Sequence, residues 1–255
     1  MKKVKAKKFL GQHFLNDLKI AKKITDELSL NGYKSVLEIG PGMGVLTNFI
    51  KTKKTDFYVI EIDKDSVLYL KKKYPDLSEK IIEGDFLSLN IDDVFNEKIA
   101  IIGNFPYNIS SQILFKSLNY TDKIVEIIGM FQKEVAERIT SKPGNKKYGI
   151  LSVLMQTYYN VEYLFTVDEN VFSPPPKVKS GVIKLIKKND LKINFHHEKL
   201  IKIVKIAFNQ RRKTLRNALK SLTLLDDKMV KPFLSKRAEE LSFEDYIKLT
   251  KGFEI

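Results

Sequence analysis

The chain has 255 residues, 43% of them apolar, with no cysteine, three histidines and a formal net charge of +14. That apolar content supports a packed core and excludes a disordered chain. The absent thiols exclude disulfides, thiolate metal sites and a cysteine nucleophile and suit a reducing compartment, while His13, His196 and His197 are too scattered to build a metal centre, so no metal is expected.

The chain begins "MKKVKAKKFLGQHFLND", basic but without the apolar stretch of a signal peptide. No segment approaches the ~18 consecutive apolar residues of a membrane helix, so a soluble cytoplasmic protein with no membrane partner is expected. The excess of positive charge points to a polyanionic partner. Residues 1–16 begin as a basic arm, and Lys7 and Lys8 are its candidate phosphate contacts.

Strand-like apolar runs then alternate with helical patterns: strands are expected at Ser35–Gly40, Asp56–Glu61, Lys80–Glu83, Lys98–Gly103, Lys123–Phe131, Val161–Val167 and Gly181–Ile186. The central runs, "IAIIG" and "IVEIIGMF", are continuously apolar rather than alternating, the signature of strands covered on both faces. Asp63 or Asp65 can cap the helix before "SVLYLKKKY", and Ser110 the helix before "QILFKSL". The layout is a doubly wound, Rossmann-like α/β sheet of seven strands over residues 1–189. The connection between the last two strands is too short for a crossover helix, so that pair is expected to be antiparallel.

Gly40, Gly42 and Gly44 in "SVLEIGPGMGVLT" follow the first strand, where glycines let the backbone turn sharply and approach a ligand. Glu38 lies two residues ahead of them. A carboxylate there repels a pyrophosphate and can instead meet the ammonium of an amino-acid-bearing nucleoside, and S-adenosylmethionine is such a ligand. Glu61 ends the second strand 21 residues after Gly40, near the offset at which a carboxylate meets ribose hydroxyls. Asp85, in "EGD" after the third strand, is placed to accept from an adenine amino group, and Asn104 follows the fourth strand.

Asn104 opens "NFPYN". Its side-chain oxygen, with a backbone carbonyl of Phe105 or Pro106, can accept both N–H bonds of an exocyclic amine on a base. That would aim the nitrogen lone pair at an activated methyl group, a transition-state interaction requiring no strong base. Tyr107 supplies a flat surface on which an extruded base can stack.

After Lys188 the pattern turns helical, and residues 190–255 read as a small all-α domain. Apolar residues at 200, 201, 204, 207, 208, 215, 218, 219 and 222 follow a helical period. "SFED" at 242–245 resembles a capping box before a last helix. Arg211, Arg212, Lys213, Arg216 and Lys220 form a basic cluster holding three of the chain's five arginines, and Arg212, Arg216 and Lys220 are spaced to share a helix face. They are candidate RNA contacts. His196 and His197 fall at the entrance to this domain, away from the chemistry.

Taken together, "GQHFLND", "EIGPGMGVLT", "EID", "EGDFL", "GNFPYNIS", "FQKEVAERI", "FSPPPKVKSGV" and "FNQRRKTLRNALK" resemble the successive motifs of the KsgA-type small-subunit rRNA adenine dimethyltransferases, over nearly the whole chain. The resemblance implies a class I S-adenosylmethionine-dependent methyltransferase with a helical C-terminal RNA-recognition domain. It implies dimethylation of N6 on two adjacent adenosines in a hairpin loop near the 3′ end of small-subunit (16S) rRNA during ribosome biogenesis. The substrate it implies is an immature 30S subunit. The sequence shows no seam for a dimer, and a monomer is expected. The resemblance places cofactor contacts at His13, Leu15, Gly40, Glu61, Asp85 and Asn104, and the acceptor site at Asn104, Pro106 and Tyr107 with Phe172 as a second stacking wall. It also implies that the basic arm of residues 1–16 leads into a cofactor-covering segment. Phe105 stands where the family usually has Leu, and His13 where it often has Asn. Two alternatives stay open: an assembly factor that uses methylation as its release step, and a large-subunit rRNA adenine methyltransferase conferring resistance.

Overall fold

A computed structural model describes residues 4–189 and 195–254. Seven strands form the central sheet: β1 (Ser35–Ile39), β2 (Asp56–Glu61), β3 (Ile81–Glu83), β4 (Ile99–Asn104), β5 (Ile124–Gln132), β6 (Tyr159–Val167) and β7 (Ser180–Lys187), in the order β3-β2-β1-β4-β5-β7-β6. The first five neighbours run parallel, and β7 runs antiparallel to β5. All five residues of β1 and the first five of β4 are buried, as strands flanked on both faces by helices require. The strand order reverses direction at β1, which pairs with β2 on one side and β4 on the other. The crevice beyond the carboxyl ends of β1 and β4 is where an open α/β sheet binds its ligand.

By compactness the chain divides into two units, Met1–Ala136 with Glu162–Lys187, and Glu137–Val161 with Lys188–Ile255. The sheet and crevice belong to the first. The second holds the helices Ile150–Tyr158, His197–Asn209, Leu215–Ala218, Asp227–Leu234 and Phe243–Lys251. It therefore takes in residues 137–161, which the sequence pattern groups with the sheet. The expected start of the helical domain, residues 190–194, and Lys2 and Lys3 of the basic arm lie outside the described residues. Among the described residues no helix is long and apolar enough to cross a membrane.

Local capping decides several boundaries. Asp63 caps Lys64–Lys73 by accepting the Asp65 N–H, and Ser242 caps Phe243–Lys251 by accepting the Asp245 N–H. Ser110 is not a cap: its helix starts at Ser110 itself, after Ile109, and the hydroxyl donates back to the Tyr107 carbonyl at 3.2 Å. The expected helical run through Leu222 is also interrupted. The helix His197–Asn209 ends at Gln210, Lys213 N–H closes a turn on the Gln210 carbonyl, and Thr214 bridges Arg237 before the short helix Leu215–Ala218. Residues 210–214 carry no apolar side chain to hold a helix against the core, so the backbone leaves it. Arg212 and Lys220 both sit in turns and share no helix face with Arg216.

Candidate active site

The carboxyl ends of four parallel strands surround one cavity. β1 delivers Gly40 and Gly42, β2 ends on Glu61, the turn after β3 carries Asp85, and β4 ends on Asn104; each lines the cavity. Pro106 and Tyr107 continue the wall from Asn104, and His13 closes it from the N-terminal segment. Gly42 has φ +56°, and a Cβ there would stand 2.7 Å from the Phe14 ring, so the loop can pass under the N-terminal segment only with glycine. Its N–H donates to Glu61 Oε2 at 2.9 Å, and the Asp63 N–H donates to Glu61 Oε1 at 2.9 Å. Two backbone donors thus orient the Glu61 carboxylate, while its burial pushes the carboxyl above its ordinary range. Asp85 is oriented in the same way, its Oδ1 accepting the Leu87 N–H at 2.9 Å.

Asn104 donates from Nδ2 to the His13 carbonyl at 2.9 Å. With the amide nitrogen committed, Oδ1 is the end left to accept a hydrogen bond. The His13 ring lies over Tyr107 with centroids 5.5 Å apart and planes at 29°, and its Nδ1 donates to the Pro174 carbonyl at 2.8 Å. The Tyr107 hydroxyl shares a 2.6 Å hydrogen bond with Ser180 Oγ, and burial raises its phenol above the ordinary value. Tyr107 is therefore a neutral surface and not a base. The Phe105 ring is buried: the residue is 1% exposed and packs edge-on against Phe131 at 5.2 Å.

Glu38 and Leu15 line a second, smaller cavity that shares Gly40, Phe14 and Asn104 with the first. Glu38 is 1% exposed and accepts the Thr47 hydroxyl at 2.6 Å; burial outweighs that bond and pushes its carboxyl up to about 8.

Other residues singled out in the sequence stand elsewhere. Gly44 lines neither cavity; a Cβ there would meet Tyr74 at 2.7 Å, and its carbonyl accepts the Tyr74 hydroxyl at 2.9 Å. Phe172, the expected second stacking wall, does not line the cavity. It is 3% exposed in the apolar core, because its backbone pairs with Leu15 in a two-residue antiparallel ladder that turns the ring inward. Lys7 is not a free phosphate contact, since its ammonium is engaged by Asp63 and Asp65. Lys8 is exposed. In the second unit Arg211 faces Glu239 and donates to the Asn145 carbonyl. Arg212, Lys213, Arg216 and Lys220 are exposed and make no ion pair among the described residues.

Sequence reasoning missed Gln12, Asp63 and Asn108. Gln12 and Asn108 line the cavity, and Asp63 holds the segment that covers it. The only signal was their position inside "GQHFLND", "EID" and "FPYN". Among the described residues no group of three or more His, Asp or Glu side chains is placed to hold a metal ion.

The family model described as ribosomal RNA adenine dimethylase matches residues 3–252. The chain is 59% identical over its whole length to the ribosomal RNA small subunit methyltransferase A of Flavobacterium johnsoniae, covering 98% of that protein. It is 56% identical, over 98% of both chains, to the protein of the same name from Cytophaga hutchinsonii. Among solved structures, a dimethyladenosine transferase from Plasmodium falciparum superposes with a TM-score of 0.78 at 25% identity, covering 95% of this chain and all of that one. The 23S rRNA methyltransferase ErmE shares the fold, with a TM-score of 0.71 at 23% identity over 93% of this chain and 98% of its own.

Proposed function

The chain belongs to the ribosomal RNA adenine dimethylase family, and from that premise we propose that it transfers methyl groups from S-adenosylmethionine to N6 of two adjacent adenosines near the 3′ end of small-subunit rRNA, giving N6,N6-dimethyladenosine. The small-subunit reading is preferred to the large-subunit one because relatives above half identity carry the small-subunit name, whereas ErmE shares only the fold. The observation that carries the chemistry is the hydrogen bond from Asn104 Nδ2 to the His13 carbonyl, which turns Oδ1 into an acceptor beside Tyr107.

The residues present suit the methyl donor. Glu61, its carboxylate aligned by the Gly42 and Asp63 N–H groups, is the acceptor for ribose hydroxyls. Asp85 is the acceptor for the adenine amino group, and Glu38 in the adjoining cavity is the counter-charge for an amino-acid ammonium. When bound, S-adenosylmethionine supplies a methyl group already activated by the sulfonium charge.

The protein's own part is to hold the target amine. Asn104 Oδ1 accepts one of its N–H bonds. The Phe105 carbonyl is the second acceptor, since the Pro106 carbonyl already accepts the Ile109 N–H at 3.1 Å. Two acceptors below the amine favour a pyramidal nitrogen, whose lone pair then points at the methyl; the gain is larger in the transition state than in the ground state. The base rests on Tyr107, whose hydroxyl is fixed by the Ser180 hydrogen bond. Exposed Lys8, Arg212, Lys213, Arg216 and Lys220 serve the rRNA phosphates. The substrate is an immature small subunit met by a single copy of the enzyme, and a cytoplasmic place of action follows from that substrate.

Labelled S-adenosylmethionine should be offered with small subunits lacking the dimethyladenosines, with large subunits and with naked rRNA. Dimethyladenosine in small subunits alone, lost in Asn104→Ala, is the expected result. Label in large subunits would overturn the substrate assignment. Tight subunit binding with no label anywhere would leave an assembly factor in place of an enzyme.

A further inference from the structure

The segment that covers the main cavity is held differently at its two ends. Its C-terminal end is built into the backbone: Phe14 and Leu15 pair with Ser173 and Phe172, and the Asn16 N–H donates to the Val171 carbonyl at 2.8 Å. Its N-terminal end is held by side chains. Among the described residues, every hydrogen bond or ion pair tying residues 7–12 to the rest of their unit ends on Asp63 or Asp65. The Lys7 ammonium engages Asp63 and lies 2.7 Å from Asp65, and Gln12 Nε2 donates to Asp63 Oδ2 at 3.1 Å. Gln12 Oε1 accepts the Lys7 N–H at 2.8 Å, so the two side chains act as one clamp. Leu10 through Phe14, all of which line the cavity, run on from this clamp to the paired end.

Asp63 is a prepared acceptor. Its side chain is fully buried, and it already accepts from the Asp65 N–H and the Ser66 hydroxyl, each at 3.1 Å. An exposed ion pair loses most of its value to screening and side-chain entropy, but here only the lysine has to be ordered. The clamp also sits next to the chemistry, because the backbone N–H of Asp63 is one of the two donors that orient Glu61. Gly11 comes so close to Asn108 that a Cβ would stand 2.6 Å from its Oδ1, so the clamped segment also abuts the loop that begins at Asn104.

We propose that Lys7 and Gln12 are positioning residues for the methyl donor: anchored on Asp63, they hold Leu10–Phe14 in place as one wall of the donor cavity, and release of the clamp opens that wall. The inference rests on the donor assignment made above. It moves Lys7 from the RNA-facing arm to the donor site and leaves Lys8 to the phosphates.

The test is calorimetric binding of S-adenosylhomocysteine to the full chain in wild type, Lys7→Met and Lys7→Arg, with hydrogen exchange of the ligand-free proteins. Wild-type Kd is expected to rise with salt; Lys7→Met is expected to bind about tenfold more weakly, to exchange the Leu10–Phe14 amides faster, and to lose that salt dependence. Lys7→Arg is expected to restore all three. The KM for the methyl donor should rise in parallel with Kd, and the KM for small subunits is the readout that separates a donor-site role from an RNA-facing one. Unchanged Kd and exchange in Lys7→Met would overturn the proposal, and a raised subunit KM alone would return Lys7 to the RNA. Failure of wild type itself to bind S-adenosylhomocysteine would sink the donor assignment and this inference with it, a pattern distinct from an unchanged Kd.

Discussion

Asn104 Nδ2 and the His13 carbonyl oxygen are 2.9 Å apart, and this bond joins the end of β4 to the segment that covers the cavity. It fixes which end of the amide faces the acceptor base. Asn104→Ala removes both the bond and the Oδ1 acceptor. Its kcat for methyl incorporation into unmethylated small subunits should fall by about 10²–10³, while stability in urea falls by only about 1 kcal/mol for one partly buried hydrogen bond. A loss of activity that merely tracks unfolding would contradict the role given to Oδ1.

Phe105 depends on two glycines. A Cβ on Gly129 would stand 2.4 Å from the Phe105 ring and 2.5 Å from Phe131, and one on Gly103 would stand 2.6 Å from Phe105. The ring that replaces the family's usual Leu fits because the β4 and β5 backbones leave it room. Gly129→Ala should cost about 1–3 kcal/mol by overpacking and should lower kcat, because Phe105 lies between Asn104 and Pro106. Adding Phe105→Leu should recover part of both losses, with a coupling of about 0.5 kcal/mol or more in urea melts. Strict additivity would mean that the ring does not feel position 129.

Legibility in the sequence followed the range of the interactions. "SVLEI" and "IAIIGN" announced buried parallel strands because burial on both faces imprints every residue, and the order of strands placed Gly40, Glu61, Asp85 and Asn104 at one crevice before any coordinates. The ion pairs of Lys7 are not legible, because a lysine in a basic run looks like its neighbours and only the fold brings Asp63 and Asp65 to it. The burial of Phe172 is not legible either, because its backbone pairs with Leu15, far away in sequence. The break at 210–214 is hidden because its five polar residues fit the exposed face of a helix as well as a turn.

Glu38 should make donor binding proton-linked. Burial holds its carboxyl at about 8, so at pH 7 the free protein keeps it largely protonated. An ammonium brought beside it favours the carboxylate. Binding of S-adenosylhomocysteine at pH 7 should therefore release up to about one proton, read as a dependence of calorimetric enthalpy on buffer ionisation heat. The release should vanish in Glu38→Gln. The same group acts on stability. Its folded value lies above its ordinary 4.5, so its contribution is complete below that value and is lost as pH rises through about 8. Glu38→Gln should flatten that fall, and a fall of unchanged size would assign it to another group.

The basic cluster of the second unit divides by partner. Arg211 is held between Glu239, 3.5 Å from its Nε, and the Asn145 carbonyl, 3.4 Å from a terminal nitrogen, so it ties the loop before Ile150–Tyr158 to the turn Ala238–Glu240. Arg212, Lys213, Arg216 and Lys220 have no such commitment and are exposed. Alanine at any of these four should weaken small-subunit binding and flatten the slope of log K against log salt by about 0.7–0.9, the release of one counterion. Arg211→Ala should lower the Tm and leave that slope near wild type. The two effects separate because a cation already neutralised inside the protein displaces no counterion from RNA. A flattened slope in Arg211→Ala with no change in the other four would put the phosphate path on the Asn145 side of the unit instead.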